Sequence, residues 1–174
     1  GLQVMDQTTR AGILALYDQE DPVHGGVIPG YDRDHAERTA RIMLRVAHAL
    51  RLDPSWHQDI EITTLLHDIG RAGMNPKLFG QIFSLAQENG LPVRIQELRS
   101  RYPEVSEANA TEFFLTLIQP ALKDRQIPID DQLIDHVRMR MDFKARLTET
   151  LSDRQPQLNR LGITVKPWMQ KVML

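Results

Sequence analysis

The segment Thr64–Gly70 reads Thr-Leu-Leu-His-Asp-Ile-Gly, and it decides how the rest of the chain is interpreted. The apolar side chains that repeat at helical spacing here are Ile62, Leu65, Leu66 and Ile69. Gly70 is a suitable residue to end that helix. The pair His67-Asp68 therefore lies near a helix end, directly after two leucines, where core packing alone gives no reason for an imidazole and a carboxylate.

Two interpretations of the His67-Asp68 pair are open. Neighbouring residues on a helix point about 100° apart, so the two side chains cannot share one face, but both can hold an ion placed against the helix between them. In the other interpretation His67 is partly buried, and Asp68 caps the helix or pairs with another group. The dipeptide alone favours the second interpretation.

His35 changes that balance, because it opens the preceding predicted helix 32 residues upstream. If the two consecutive helices pack antiparallel, the start of the first lies beside the end of the second. His35 is then expected close to His67 and Asp68. Two imidazoles and one carboxylate form a borderline ligand set that suits Mn, Fe, Co, Ni or Zn better than Ca.

Helical spacing of apolar residues continues along most of the chain, and no segment shows clean strand alternation. We therefore predict an all-α fold: one domain over residues 1–174, built as a bundle of about six or seven helices. The last long helix is predicted over residues 130–151. The stretch 21–31, rich in Pro and Gly, predicts a loop, and the tail 152–174 is predicted to be irregular. The predicted helix N-caps are Asp34, Asp53, Asn75, Asn109 and Asp130.

Composition excludes several classes of function. The chain has no cysteine, which removes disulfides, zinc–cysteine sites and thiol catalysis and fits a cytoplasmic protein. Its formal net charge of -2 argues against duplex nucleic acid or an anionic membrane as the main partner. No apolar run approaches the roughly 20 residues needed to span a bilayer.

The residues around the His-Asp pair support a family resemblance. Residues 65–71, Leu-Leu-His-Asp-Ile-Gly-Arg, resemble the defining motif of the HD superfamily of metal-dependent phosphohydrolases, and His35 followed by Arg38 resembles the family's first histidine. The resemblance covers about residues 30–148. It implies a helical HD-type domain with one or more divalent metals, and it implies His35, His67 and Asp68 as ligands.

The resemblance also implies a fourth ligand, an aspartate on a late helix. Asp142 is the best match in this chain. Asp131 and Asp135 compete with it, because separations of 11 and 7 residues place all three on nearly one helix face. The three acids can also be explained as a solvated stripe with Asp135/Arg138 and Arg138/Asp142 pairs. We predict Asp142 as the fourth ligand, with Asp135 as the main alternative.

Two arginines are candidates for binding phosphate. Arg71 follows the His-Asp-Ile-Gly motif, where many relatives have lysine, and Arg38 lies one turn after His35. Each also has a structural alternative: Arg71 as a cation favoured at a helix C-terminus, and Arg38 as a partner of a neighbouring acid. Lys77 is a weaker candidate. Members of the family that bind two metals carry extra histidines between the His-Asp pair and the late aspartate. This chain has no histidine from 69 to 135, so the resemblance implies one metal ion.

These observations favour a metal-dependent phosphohydrolase. Asp68, Arg71 and Arg38 are its expected catalytic residues, and its substrate is a small phosphate ester, with a nucleotide as one candidate. The alternative is an HD-type regulatory or ligand-binding module with little or no catalysis. The apolar C-terminus around Trp168 is expected to cover the domain or a second subunit, which is compatible with a homo-oligomer.

Overall fold

The computed structural model describes residues 5–20, 27–28 and 33–174, and within these residues the fold is helical. The α-helices are α1 Gln7–Leu14, α2 Arg33–Ala49, α3 His57–Leu66, α4 Pro76–Glu88, α5 Ile95–Arg101, α6 Ala110–Asp124, α7 Asp131–Met141, α8 Phe143–Asp153, α9 Gln155–Arg160 and α10 Pro167–Met173. A minimal antiparallel ladder joins β1 Gln19–Glu20 to β2 Val27–Ile28. The all-α prediction is confirmed at this level.

The chain divides into two compact units. The terminal unit comprises residues 1–73 and 144–174, and the middle unit comprises residues 74–143. In the terminal unit α2 packs along α3, and α10 also packs on α3. Side chains that are at most 1% exposed in this unit include Ile13, Tyr17, Leu65, Leu66, Ile69, Leu147, Leu158 and Met169. The segment that carries His67 and Asp68 therefore emerges from well-buried helical positions.

The middle unit is built around α6 and α7, with α4 and α5 packed against them. Its core side chains include Ile82, Leu85, Leu98, Phe114, Ile118, Leu122, Leu133 and Val137. Arg140 is also buried here, donating to the Phe79 carbonyl over 2.6 Å and to His136 Nε2 over 2.9 Å. These bonds satisfy polar groups that would be costly to bury alone.

Several predicted element boundaries differ from the structure. The long helix predicted over residues 130–151 is two helices, α7 and α8, because Asp142 leaves the helical conformation at φ -109°, ψ 35°. The tail predicted to be irregular contains α9 and α10. These additional short elements raise the number of α-helices in the described residues to ten, above the six or seven predicted. Most of the loop predicted over residues 21–31 lies outside the described residues.

The cap predictions are correct where the side chain reaches a free backbone N–H. Asn75 accepts from the N–H groups of residues 77 and 78, and Asp130 accepts from residue 133. Asp34 is not a cap, because α2 begins at Arg33 and places Asp34 within its first turn. Asn109 does not cap α6 with its side chain, which accepts instead from the backbone of residue 106.

Candidate metal centre

His67 is the last residue associated with α3, and the helix end fixes how its ring is held. The Nδ1 atom lies 2.5 Å from the carbonyl oxygen of Thr64, one turn back. Because a carbonyl oxygen only accepts, Nδ1 carries a proton in this contact. The Nε2 atom is therefore the ring atom that a metal can take, and this is how metal-binding histidines are commonly oriented.

Asp68 is the centre of the cluster. Its Oδ2 atom lies 3.0 Å from His67 Nε2, 3.7 Å from His35 Nε2 and 3.4 Å from Arg71 Nη1. The residue is buried, although its backbone stands at the turn between α3 and a short 3-10 helix, Ile69–Arg71. A carboxylate in this place faces three positive or potentially positive groups.

His35 reaches the cluster from the first turns of α2. The packing of α2 along α3 brings the start of α2 beside the end of α3, as the antiparallel arrangement predicts. The two imidazole centroids lie 5.8 Å apart. The His35 side chain remains 51% exposed, so one side of the cluster is open to solvent.

The spacing of these three groups fits a metal ion. One ligand atom from each of His35, His67 and Asp68 lies within 4.8 Å of the other two. Ligands bound to one transition metal at about 2.1 Å lie about 3–3.5 Å apart. The two distances from Asp68 Oδ2 to the imidazole nitrogens bracket this range closely, so little movement is needed for all three to share an ion. The group could hold a metal, as the ligand chemistry predicts.

Electrostatics within the cluster favour the charged form of both members of the pair. The hydrogen bond to Asp68 raises the pKa of His67 against the opposing effect of burial. Burial raises the pKa of Asp68, but the hydrogen bond from His67 and the charge of Arg71 outweigh it, so that the pKa is lowered overall. A metal ion bound at Nε2 would have to displace any proton there, since a metal binds the neutral imidazole.

The two predicted phosphate-binding arginines occupy different environments. Arg71 lies beside Asp68 at the end of the 3-10 helix, with a side chain that is 22% exposed. Arg38 lies on α2 one turn after His35 and is exposed. Lys77, the weaker candidate, lies in the first turn of α4 in the middle unit.

The three candidate acids for a fourth ligand belong to the middle unit. Asp131 opens α7, where the helix dipole favours a carboxylate. Asp135 is exposed and forms an ion pair with Arg138 over 2.8 Å. Asp142 is exposed at the C-cap of α7, immediately before the first residue of α8. The choice of Asp142 stays a prediction.

Three residues that support the His-Asp segment have no signature in the sequence. The Thr64 carbonyl holds the His67 ring, and the Tyr17 hydroxyl donates to the Leu65 carbonyl. Arg146 donates to the carbonyls of Gly70 and Ala72. All of these contacts use backbone oxygens, which every residue carries, so no pattern of side chains could have indicated them.

Comparisons with protein-family models, with curated proteins and with solved structures find no match to this chain. The likeness to the HD superfamily therefore rests on the motif residues themselves. None of the helices in the described residues is both long and apolar enough to cross a bilayer.

Proposed function

We propose that this chain is an HD-type metal-dependent phosphohydrolase that acts on a small phosphate ester or a nucleotide. The observation that carries the proposal is the convergence of His35, His67 and Asp68, with ligand atoms within 4.8 Å of one another, beside a partly buried arginine. The motif resemblance suggests the reaction class, and the cluster supports the presence of a metal site.

Each ligand residue has a defined task in this proposal. His35 and His67 bind one divalent transition metal (Mn, Fe, Co, Ni or Zn) through Nε2, and Asp68 binds through a carboxylate oxygen, with Asp142 proposed as a fourth ligand. A divalent ion in such a site supplies Lewis acidity toward a phosphoryl oxygen and makes a bound water acidic enough to attack near neutral pH. Asp68 is also proposed to accept a hydrogen bond that orients this water.

Arg71 and Arg38 are proposed to bind the substrate phosphate. Arg71 is already held beside Asp68, so its guanidinium needs little reorientation to compensate negative charge that develops on the phosphoryl oxygens. Arg38 is exposed on α2, one turn after His35, and offers a further cation. The net charge of -2 favours a small substrate over a long polyanion.

Metal content and turnover test the proposal directly. Purified protein, as isolated or after addition of Mn, Co, Ni, Fe or Zn, should bind about one divalent ion per chain, as expected for a site without a second histidine cluster. Elemental analysis measures the stoichiometry. The metal-loaded protein is then assayed against a panel of nucleotides and phosphate monoesters, with chelator-treated protein as the control.

The outcomes separate the alternatives. Turnover that disappears with chelator and returns with metal supports the phosphohydrolase. Stoichiometric binding without turnover on the panel supports a regulatory or ligand-binding module that keeps the metal site. Absence of binding for every metal tested contradicts the metal centre, and two ions per chain contradict the single-ion part.

Asp142→Asn is expected to weaken metal binding by about tenfold or more. Four-ligand sites bind with about 10–16 kcal/mol in total, so one ligand contributes well above the about 1.4 kcal/mol that makes a tenfold change. Asn caps a helix as well as Asp does. The substitution therefore removes the charge while keeping any capping of α8, and metal titration reports the ligand role alone.

Asp131→Asn and Asp135→Asn are the matched controls for that titration. Asp131 lies in the first turn of α7, where the helix dipole favours a carboxylate, and Asp135 forms an ion pair with Arg138. Neither residue needs a metal ion to account for its position, so both variants should bind metal like the wild type. If the loss occurs only in Asp135→Asn, the fourth ligand lies about two helical turns upstream of Asp142. If none of the three variants loses affinity, the late acid is not a ligand.

A further inference from the structure

The turn that follows the His-Asp pair accepts two hydrogen bonds from Arg146, a residue much later in the sequence. Arg146, on α8, donates from Nε to the Gly70 carbonyl over 3.0 Å and from Nη2 to the Ala72 carbonyl over 2.8 Å. The two carbonyls lie on either side of Arg71. One guanidinium thus hydrogen-bonds to the backbone on both sides of Arg71, although Arg146 is 74–76 residues away in sequence.

The segment that Arg146 contacts is a tight turn that includes Asp68 and Arg71. The Asp68 carbonyl accepts from the Arg71 N–H over 2.9 Å, and the Ile69 carbonyl accepts from the Ala72 N–H over 3.0 Å, which makes a tight turn. Gly73 follows with a φ of 88°, so the chain leaves the turn in a left-handed conformation. A turn this short has few bonds of its own, and its orientation depends on what holds its carbonyls.

The two sides of the His-Asp pair are held by different means. On the amino-terminal side, the Thr64 carbonyl holds the His67 ring, and the segment belongs to a regular helix. On the carboxy-terminal side the regular helix has ended, and the two bonds from Arg146 join the turn to α8. Arginine suits this position because its rigid fork presents two nitrogens in fixed directions, which the single ammonium of lysine does not.

We infer that Arg146 is a positioning residue for the metal site: its guanidinium holds the 68–72 turn so that Asp68 faces the imidazoles of His35 and His67, with Arg71 beside Asp68. The inference rests on the proposed function, because it treats this cluster as a metal site. The inference gives α8, through Arg146, a part in positioning the site, although Arg146 lies outside the His-Asp motif.

The direction of the effect separates positioning from simple electrostatics. Arg146 is a cation near a site for a divalent cation, so its charge by itself opposes metal binding. Removing the charge would then strengthen binding. Loss of positioning has the opposite sign, since outer residues that orient ligands change metal affinity by about 10–100-fold when they are lost.

The test compares Arg146→Met and Arg146→Lys with Arg154→Met in Co²⁺ titrations of the full chain. Arg154 is a matched control, because it is a partly buried arginine of the same unit that donates from Nε to the Leu16 carbonyl over 3.2 Å. The readouts are the Co²⁺ dissociation constant, the visible spectrum of the bound ion, and the thermal unfolding midpoint. Arg146→Met is expected to weaken Co²⁺ binding about tenfold and to alter the spectrum.

Arg146→Lys is expected to behave more like Arg146→Met than like the wild type, because it keeps the charge and loses the fork. Arg154→Met is expected to keep the wild-type dissociation constant and spectrum even where its unfolding midpoint falls. Wild-type binding by Arg146→Met, tighter binding, or an equal loss in Arg154→Met overturns the inference alone. A wild-type chain that binds no metal overturns the proposed function, and this inference with it.

Discussion

Asp68→Ala protein is expected to lose at least about 100-fold in divalent-metal affinity and to show no metal-dependent turnover, while keeping its helical circular dichroism spectrum. Asp68 Oδ2 lies 3.0 Å from His67 Nε2 and 3.7 Å from His35 Nε2, and Asp68 contributes the negative charge among the three clustered ligands. Removing it takes away a ligand that, on average, supplies several kcal/mol of a site's about 10–16 kcal/mol. Metal titration and the phosphatase panel measure the two losses.

The same variant has a readout that needs no metal. The hydrogen bond to Asp68 is the main cause that raises the pKa of His67, so the pKa of His67 should fall in Asp68→Ala, as followed by NMR. The pKa of Asp68 is itself lowered in the folded state, so its ionised form favours folding above the ordinary pKa, and this favourable effect fades as the pH falls through the lowered value. A modest loss of stability at neutral pH is therefore expected.

Asp59→Ala is the matched control. Asp59 lies in the first turn of the same helix, α3, and forms an ion pair with Lys166 over 2.6 Å at the end away from His67. Its removal should leave metal affinity and the pKa of His67 unchanged. If Asp68→Ala binds metal like the wild type, the site assignment is wrong. If Asp68→Ala unfolds, the result favours the alternative in which Asp68 caps the helix or pairs with another group and stabilises the fold.

Glu61→Ala is expected to lower the free energy of unfolding of the terminal unit by about 3–5 kcal/mol, the loss typical of a broken buried ion pair. Glu61 is fully buried on α3, and its Oε1 accepts from Nε and Nη2 of Arg10 on α1, the Nε bond measuring 2.7 Å. Removing the carboxylate leaves the Arg10 side chain, which is only 11% exposed, without this partner. Urea unfolding followed by fluorescence is a suitable measurement, because the only two tryptophans, Trp56 and Trp168, both lie in this unit.

Two further variants test whether the loss of stability comes from the buried Arg10 charge that Glu61→Ala leaves without its partner. Glu37→Ala removes the exposed ion pair with Arg41 on α2 and should cost less than about 0.5 kcal/mol. The double variant Arg10→Met/Glu61→Leu removes both charges and should recover most of the lost stability. A loss below about 1 kcal/mol in Glu61→Ala would contradict the expected cost, and a double variant as unstable as Glu61→Ala would show that packing, not charge, is responsible.

Sequence reasoning was most accurate where the interactions are local. Asn75 and Asp130 cap their helices, because capping joins residues two or three positions apart. It failed where a side chain had a competing partner, as for Asn109. It also failed to see the end of α7 at Asp142, since a helical pattern of side chains continues across a single residue that leaves the helix.

Burial shows the same limit on α2. Helical spacing in the sequence predicts one buried stripe on this helix, formed by Ala40, Met43, Leu44, Ala47 and Leu50. In the structure Met43 and Leu50 are 41% and 67% exposed, whereas the other three are buried. A repeat of apolar residues tells which side chains share a face, but the width of the buried part depends on which neighbour covers it. On α2 the covering neighbours are chiefly α3 and, to a smaller extent, α1, and the spacing within α2 does not indicate how far they extend over it.

The sequence by itself indicated that the protein is helical, because the spacing of apolar residues is a property of short segments. It also indicated that His35, His67 and Asp68 are candidate ligands of one metal ion, because the residue types suit a transition metal. Only the tertiary structure decided that Asp68 Oδ2 lies within 3.7 Å of both imidazole Nε2 atoms, that the Thr64 carbonyl holds Nδ1 of His67, and that Arg146 donates to the following turn. These contacts join residues up to 76 positions apart, many through backbone oxygens that carry no residue identity. Distances of this kind arise only when packing brings the helices together.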